Sequence, residues 1–147
     1  SFTEVAQRAG KLMSEGGTML TLTYGGSVRV MPNYNVMGVA KAALEAMVRY
    51  LAADFGPYGI RVNAISAGPV RTLAGAGISD ARAMLNYQAR NAPLRRTVSI
   101  DDVGKSALYL LSDLSSGVTG DIHYVDSGYS NMSMPTLDEL KRLDSQA

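Results

Sequence analysis

Tyr34 and Lys41 are the two residues of this sequence whose types and spacing best suit chemistry, because seven positions separate them. Seven residues are nearly two turns of an α-helix, so both side chains would share one helix face. A neighbouring ammonium favours a phenolate and lowers the phenol pKa from about 10. The pair suits a reaction in which a carbonyl oxygen gains negative charge. Tyr34 would donate a hydrogen bond or a proton to that oxygen, and Lys41 would stabilise the charge and could bind a ribose hydroxyl.

The helix that carries this pair is predicted over residues 34–55, with Asn33 as its N-cap. Gly38 lies between the two reactive residues and would let a bulky group approach that face closely. The apolar residues of the helix are too numerous for one stripe, so we expect burial against the sheet and against a second subunit. Strand-forming residues at 18–24 and 60–65 flank the helix in the sequence.

The rest of the chain continues this alternation of helices and strands, which predicts a parallel, layered α/β sheet. Chemistry is then expected beyond the carboxyl ends of the strands, after Thr23 and Ile65. We expect one domain over residues 1–135 and a charged tail, 136–147, that docks as a short helix or frays. The other predicted elements are helices at 2–14, at 79–91 and from a capping box at 99–102 to about 114, and a strand at 120–126.

The composition is that of an ordinary globular chain, with 46% hydrophobic and 18% charged residues. The formal net charge of +1 predicts no nucleic-acid partner, and no apolar run approaches the ~20 residues that span a bilayer. Residues 1–14 do not resemble a signal peptide. The absence of cysteine fits a reducing cytoplasm, and His123 as the sole histidine argues against a histidine metal site. We expect His123 to be structural.

Two blocks of sequence resemble the short-chain dehydrogenase/reductases. They are residues 33–45, which run from Asn33-Tyr34-Asn35 through Ala40-Lys41, and residues 59–69, which end in Ser66-Ala67-Gly68-Pro69. The Ala-Leu-Glu-Ala that closes the first block and the Ser-Ala-Gly-Pro-Val-Arg-Thr-Leu-Ala at 66–74 narrow the resemblance to bacterial enoyl-acyl-carrier-protein reductases. It implies a Rossmann-type doubly wound parallel sheet, here its C-terminal portion. It also implies NADH as the hydride donor (NADPH not excluded), an enoyl substrate on acyl carrier protein, and a homo-oligomer, expected to be a tetramer.

The resemblance also assigns roles to individual residues. Tyr34 matches the tyrosine that contacts the thioester carbonyl, and Tyr24 matches this subfamily's second active-site tyrosine. Lys41 matches the lysine that holds the nicotinamide ribose. Residues 72–85 match a loop that covers the acyl substrate, for which Met37 and Met84 would line the pocket; core filling is the alternative for both methionines. The cofactor border would comprise Val70, whose backbone binds the carboxamide, with Arg71, Thr72, Leu73 and Ala74.

Two other functions remain open at this stage. An NADPH-dependent carbonyl (3-oxoacyl) reductase of the same superfamily would carry a hydroxyl before the tyrosine, where Thr21 lies, although Tyr24 favours the enoyl reductases. A non-enzymatic assembly subunit would use the long helix only for association, but Tyr24, Tyr34 and Lys41 argue against it.

The glycine-rich turn with which this family binds its dinucleotide has no match in the sequence. Gly25-Gly26 is too short, and Gly75-x-Gly77 follows no suitable strand. We therefore expect the chain to correspond to the C-terminal portion of the reductase and to work with an N-terminal portion. Alone, it should neither fold stably nor bind the cofactor tightly, because a partial parallel sheet leaves an unpaired edge.

Overall fold

A computed structural model describes residues 1–71 and 81–145 of the chain. Within them, strands alternate with helices and pair in parallel, as the sequence predicted. The strands are β1 (Gly17–Thr23), β2 (Ile60–Ala67) and β3 (Ile122–Val125). The helices are α1 (Phe2–Gly10), α2 (Asn35–Phe55), α3 (Ala81–Asn91), α4 (Ile100–Leu111) and α5 (Leu137–Asp144). Short 3-10 turns lie at Gly25–Ser27, Gly56–Tyr58, Asp113–Ser115 and Tyr129–Asn131.

The sheet has the order β1-β2-β3 in the described part of the chain, so β2 is its central strand. Thr23 pairs with Ser66, and Ala67 pairs with Val125. The carboxyl ends of the strands therefore lie along one edge. The segments that follow them begin at the edge where ligands of such sheets bind.

Helices cover both faces of the sheet. Ile60, Val62 and Ala64 of β2 are buried in a cluster with α1 and α2. Side chains alternate along a strand, so the residues between them face the other way. On that side α4 contacts β1, β2 and β3, and the Thr18 hydroxyl donates a 3.2 Å hydrogen bond to the Leu110 carbonyl. The predicted layered, Rossmann-type α/β fold is confirmed.

A buried amide holds the segment that leads into β3. Asn63 is 0% exposed; its Nδ2 donates to the Val118 carbonyl at 3.0 Å, and its Oδ1 accepts from the Asp121 amide at 3.0 Å. The neighbouring Arg61 donates to the carbonyls of Val118 and Ser112, each at 3.1 Å. Side chains of β2 thus add to the backbone hydrogen bonds that join residues 120 and 121 to this strand just before β3 begins.

Helix α2 starts one residue later than predicted. Tyr34 is the N-cap residue, without a side-chain capping hydrogen bond, and the prediction of Asn33 as the N-cap is wrong. Asn33 has φ +61°, the left-handed conformation that asparagine adopts more readily than most residues. In the single chain, α2 buries Val48 and Leu51 but leaves Val39 and Tyr50 exposed. Burial of that exposed side by a second subunit stays a prediction.

Both C-terminal helices have well-defined starts. The capping box predicted at Ser99 and Asp102 is confirmed at the start of α4. The tail forms α5, whose N-cap Thr136 accepts from the Glu139 amide. Glu139 is 2% exposed and binds Arg90 of α3 and Arg142, so of the two alternatives for the tail, docking is observed. None of the described helices is long and apolar enough to cross a membrane.

Candidate active site

Two tyrosines meet at the carboxyl end of β1. Tyr24 follows the strand directly, and Tyr34 lies at the start of α2. Their ring centroids are 5.4 Å apart with an interplanar angle of 76°, an edge-to-face contact that aromatic rings favour. The structure thus brings together the two tyrosines that the sequence placed in one active site.

Two glycines make this contact possible. A Cβ added at Gly26 would lie 2.6 Å from Cδ1 of Tyr34, and one added at Gly38 would lie 2.8 Å from the Gly26 carbonyl oxygen. Side chains at either position would push the Gly25–Ser27 turn away from α2. We predicted that Gly38 would admit a bulky group. Instead, the backbone of Gly26 comes close to it.

Lys41 is anchored on the same segment. Its Nζ donates a 2.9 Å hydrogen bond to the Leu22 carbonyl at the end of β1. Tyr34 contacts Gly26, so both members of the predicted pair contact residues 22–26. An ammonium has three N–H donors. The Leu22 carbonyl takes one of them, which leaves donors for hydroxyl groups of a bound ligand.

Glu45 is a residue of this region that the sequence analysis missed. It lies one turn beyond Lys41 on α2 and is 4% exposed. Its Oε1 accepts a 2.7 Å hydrogen bond from the Thr23 hydroxyl and another from the Ser27 hydroxyl. An acid on the apolar side of a helix was the available signal, since such a residue is rarely buried without partners.

The electrostatics of the two phenols differ from the expectation. Burial raises the pKa of Tyr24 above its usual value, and the neighbouring Tyr34 and Tyr129 raise it further. Burial also raises the pKa of Tyr34, so the predicted lowering of that pKa by Lys41 is wrong. Lys41 donates to a backbone carbonyl instead, and both phenols are protonated at neutral pH. Protonated phenols serve as hydrogen-bond or proton donors.

The residues expected at the cofactor follow β2. Val70 is half-buried and Arg71 is exposed, just beyond the carboxyl end of the strand. Thr72, Leu73 and Ala74 lie outside the described residues, as does the substrate-covering loop up to residue 80. The position of Val70 and Arg71 fits the edge at which a ligand of a parallel sheet binds.

The methionines expected in an acyl pocket, Met37 and Met84, are both substantially exposed in the described chain. Met37 is 48% exposed and Met84 is 41% exposed, so neither fills the core of the described chain. A cavity of about 690 Å³ opens beside Tyr24, but neither methionine lines it. It is lined instead by Met31, Gln88, Val98 and Tyr129, among others. The role of Met37 and Met84 stays a prediction.

His123 lies in β3, where Nδ1 is 3.7 Å from Asp121 Oδ2 and the ring is 6.2 Å from that of Tyr109. Neither of these neighbours belongs to the tyrosine pair. Across residues 1–71 and 81–145, no group of histidine and acidic side chains is arranged to hold a metal ion.

Comparison with known proteins identifies the family. Residues 1–130 match the family described as Enoyl-(Acyl carrier protein) reductase. Over 145 residues the chain is 80% identical to Enoyl-[acyl-carrier-protein] reductase [NADH] 2 of Rhizobium meliloti, covering 99% of the chain and 54% of that relative. This chain belongs to the enoyl-acyl-carrier-protein reductase family. The resemblance found in the sequence is confirmed.

Solved structures of the enoyl-acyl-carrier-protein reductases share this fold. The crystal structure of FabI from Candidatus Liberibacter asiaticus has a TM-score of 0.88 and 62% identity, and covers 92% of this chain and 52% of its own. The Anaplasma phagocytophilum reductase, solved in complex with NAD, has a TM-score of 0.88 and 57% identity with the same coverage. The chain spans about half the length of the curated reductases it matches.

Proposed function

We propose that this chain supplies the catalytic residues of an enzyme that reduces trans-2-enoyl-acyl-carrier-protein to the saturated acyl form with NADH. Such a reduction would be the last step of each fatty-acid elongation cycle. The observation that carries the proposal is the edge-to-face pair of protonated phenols, Tyr24 and Tyr34, above the ends of parallel strands. A relative that is 80% identical is named as an NADH-dependent enoyl reductase, which supports it.

The reaction requires a hydrogen-bond donor to the thioester carbonyl oxygen, which becomes negatively charged. NADH supplies a hydride to C3 of the enoyl thioester when it is bound. The electron pair of the double bond then moves toward the thioester carbonyl, and the oxygen becomes an enolate. Tyr34, being protonated, donates a hydrogen bond to that oxygen, with Tyr24 beside it. Protonation at C2 completes the saturated chain. The rate gain comes mainly from positioning and from stabilising the enolate oxygen.

Two features of the site fit a dinucleotide. They are the residues that follow β2 and the N–H donors of Lys41 that do not bind the Leu22 carbonyl. Lys41 would hold the nicotinamide ribose with the N–H groups that Leu22 does not take. The backbone of Val70 would bind the carboxamide, with Arg71 and residues 72–74 along the cofactor. NADH is favoured over NADPH because the relatives at 80% and 67% identity carry NADH in their names.

The proposal extends to partners. The enoyl substrate would be presented by acyl carrier protein. The enzyme would be a homo-oligomer, expected to be a tetramer, that buries the exposed side of α2, including Val39 and Tyr50. An N-terminal portion would supply the dinucleotide-binding turn, and the location would be cytoplasmic. The chain joined to that portion, either its own or the matching part of the Rhizobium meliloti relative, is called the complete reductase below.

The decisive assay follows oxidation of NADH or NADPH by the complete reductase with crotonyl or acetoacetyl thioesters. We expect turnover of crotonyl thioester with NADH. Turnover of acetoacetyl thioester alone would identify a carbonyl reductase and contradict the proposal.

Tyr34→Phe tests the catalytic role directly. Loss of one donor to a developing oxyanion lowers kcat by roughly 10²–10³-fold. The matched control is Tyr58→Phe, because Tyr58 is 70% exposed in the turn after α2. Unchanged turnover in Tyr34→Phe would favour a non-enzymatic assembly role for these helices.

A further inference from the structure

The structure assigns Glu45 as a positioning residue that sets the place of Tyr24 by holding the backbone on both sides of it. This inference rests on the proposed function, because it concerns the tyrosine that lies beside the reacting carbonyl. It names a residue that touches neither substrate nor cofactor. Its effect on the reaction is exerted through Tyr24.

The contacts of Glu45 bracket Tyr24 in the sequence. Thr23, immediately before Tyr24, donates to Glu45 Oε1 at 2.7 Å. Ser27, three residues after it, donates to the same oxygen. One carboxylate oxygen therefore joins the last residue of β1 to the end of the turn that follows. The segment between them can move only if at least one of these bonds breaks.

Tyr24 has little else to hold it. Its phenol oxygen takes part in none of the side-chain hydrogen bonds of the described residues, and its ring contacts Tyr34 edge-on. The turn after it has only local backbone bonds: the Ser27 amide donates to the Tyr24 carbonyl at 3.0 Å, and the Val28 and Arg29 amides donate to the Gly25 carbonyl at 3.3 and 3.1 Å. The direction of the phenol thus depends on where α2 holds the two ends of this segment.

Burial of the Glu45 carboxyl group is energetically unfavourable by itself. It is 4% exposed, Thr23 is equally buried, and no cationic side chain of the described residues lies within 4 Å of the carboxylate. A buried carboxyl group without a cation is unfavourable unless hydrogen bonds compensate. Both hydroxyls donate to Oε1 of Glu45, which fixes their orientations.

Helix α2 is therefore hydrogen-bonded at three points to the end of β1 and the turn that follows it. Lys41 binds the Leu22 carbonyl, and Glu45, one helical turn further, binds Thr23 and Ser27. Residues four apart lie on the same helix face. The helix that carries Tyr34 is thereby tied to the segment that carries Tyr24, so both phenols are placed relative to one rigid element.

A double-mutant cycle in the complete reductase tests the inference. We expect Glu45→Ala to lower kcat for crotonyl thioester about ten- to a hundredfold, the effect of a misplacement of about 1 Å, while KM for NADH changes less than about twofold. In a Tyr24→Phe background, Glu45→Ala should lower kcat by less than about twofold, because the hydroxyl that it positions is gone. Glu45→Gln keeps an oxygen acceptor and should retain kcat within about threefold.

Asp54→Ala is the matched control, since Asp54 is an exposed acid on the same helix. If Glu45→Ala does not fold, Thr23→Val and Ser27→Ala each remove one of the two bonds and should each lower kcat several-fold. Additive losses in the cycle, or wild-type kcat in Glu45→Ala or in both single-hydroxyl variants, would overturn the inference.

Amide hydrogen exchange of residues 22–29 separates this inference from the proposed function. We expect the amides of Ser27 and Val28 to exchange at least about tenfold faster in Glu45→Ala than in Asp54→Ala, without any substrate present. A wild-type enzyme inactive on crotonyl thioester would refute the proposed function, and the exchange result would still test the positioning role of Glu45. Active enzyme with unchanged exchange in Glu45→Ala would refute that positioning role alone.

Discussion

Replacing Gly38 by alanine probes how tightly α2 approaches the turn that follows β1. The new Cβ would lie 2.8 Å from the Gly26 carbonyl oxygen. An ordinary contact begins at 3.4 Å, so the turn and α2 must separate by about 0.6 Å. Alanine favours a helix interior over glycine by about 1 kcal/mol, whereas overpacking costs about 1–3 kcal/mol. The net effect on the free energy of unfolding is a loss of roughly 0–2 kcal/mol.

Activity should be hurt more than stability. A shift of about 0.6 Å in the turn beside Tyr24 is over half of the misplacement of about 1 Å that can cost about 10²-fold, so we expect kcat of the complete reductase to fall roughly tenfold. Crotonyl-thioester turnover and urea unfolding measure the two effects.

Gly104→Ala is the matched control for this substitution. Gly104 lies inside α4, and nothing lies within 4 Å of its added Cβ. We therefore expect it to stabilise the protein by about 0.5–1 kcal/mol with unchanged kcat. If Gly38→Ala were as stable and as active as Gly104→Ala, the reasoning from close approach would be refuted.

Three further predictions concern stability. Leu110→Ala should lower the free energy of unfolding by about 2–5 kcal/mol in urea titrations, because Leu110 is fully buried against the sheet. Its control is Leu114→Ala, which should change that free energy by less than about 0.5 kcal/mol because Leu114 is exposed. Arg142 and Arg90 lower the pKa of Glu139 from 4.5 to about 2, so the ion pair by which Arg90 holds α5 is complete above pH 4.5 and is lost as the pH falls toward 2. Amide exchange of α5 measures this, and Glu139→Gln should remove that pH dependence. The chain alone should show no cooperative melt and no tight NADH binding, since β1 has no partner on its outer edge among the described strands; a sharp calorimetric transition would contradict this.

Local signals predicted much of the fold. Ser99 and Asp102 form the capping box that their spacing indicated, since both hydrogen bonds lie within one helical turn. The order of strands and helices followed from residue types, helical spacing and capping signals together. Asn33 was misjudged as a cap because its residue type does not specify φ; its backbone is left-handed and lies in the turn that the Tyr34 amide closes on the Met31 carbonyl.

The site was predictable only where it depends on helical spacing. Tyr34 and Lys41 share a helix, so their proximity to one segment could be inferred from seven positions of separation. The partners of Glu45 are 22 and 18 residues earlier in the chain, and only the packing of α2 against β1 brings them into contact. The raised pKa of Tyr34 likewise depends on burial, which the sequence does not specify.

The side-chain amide of Asn63 restricts the substitutions and length changes that this sequence can accept during evolution. It both donates and accepts, so aspartate, which only accepts when ionised, would remove one of the two donors to the Val118 carbonyl and leave only Arg61. Glutamine carries the same groups on a longer stem and would displace them. A one-residue shift in the register of β3 would also leave the Asn63 amide without its partners. It would turn the side chains of β3 to the opposite face of the sheet. Insertions and deletions in the loops near β3 are therefore tolerated only where residues 118–121 stay at their present distance from Asn63.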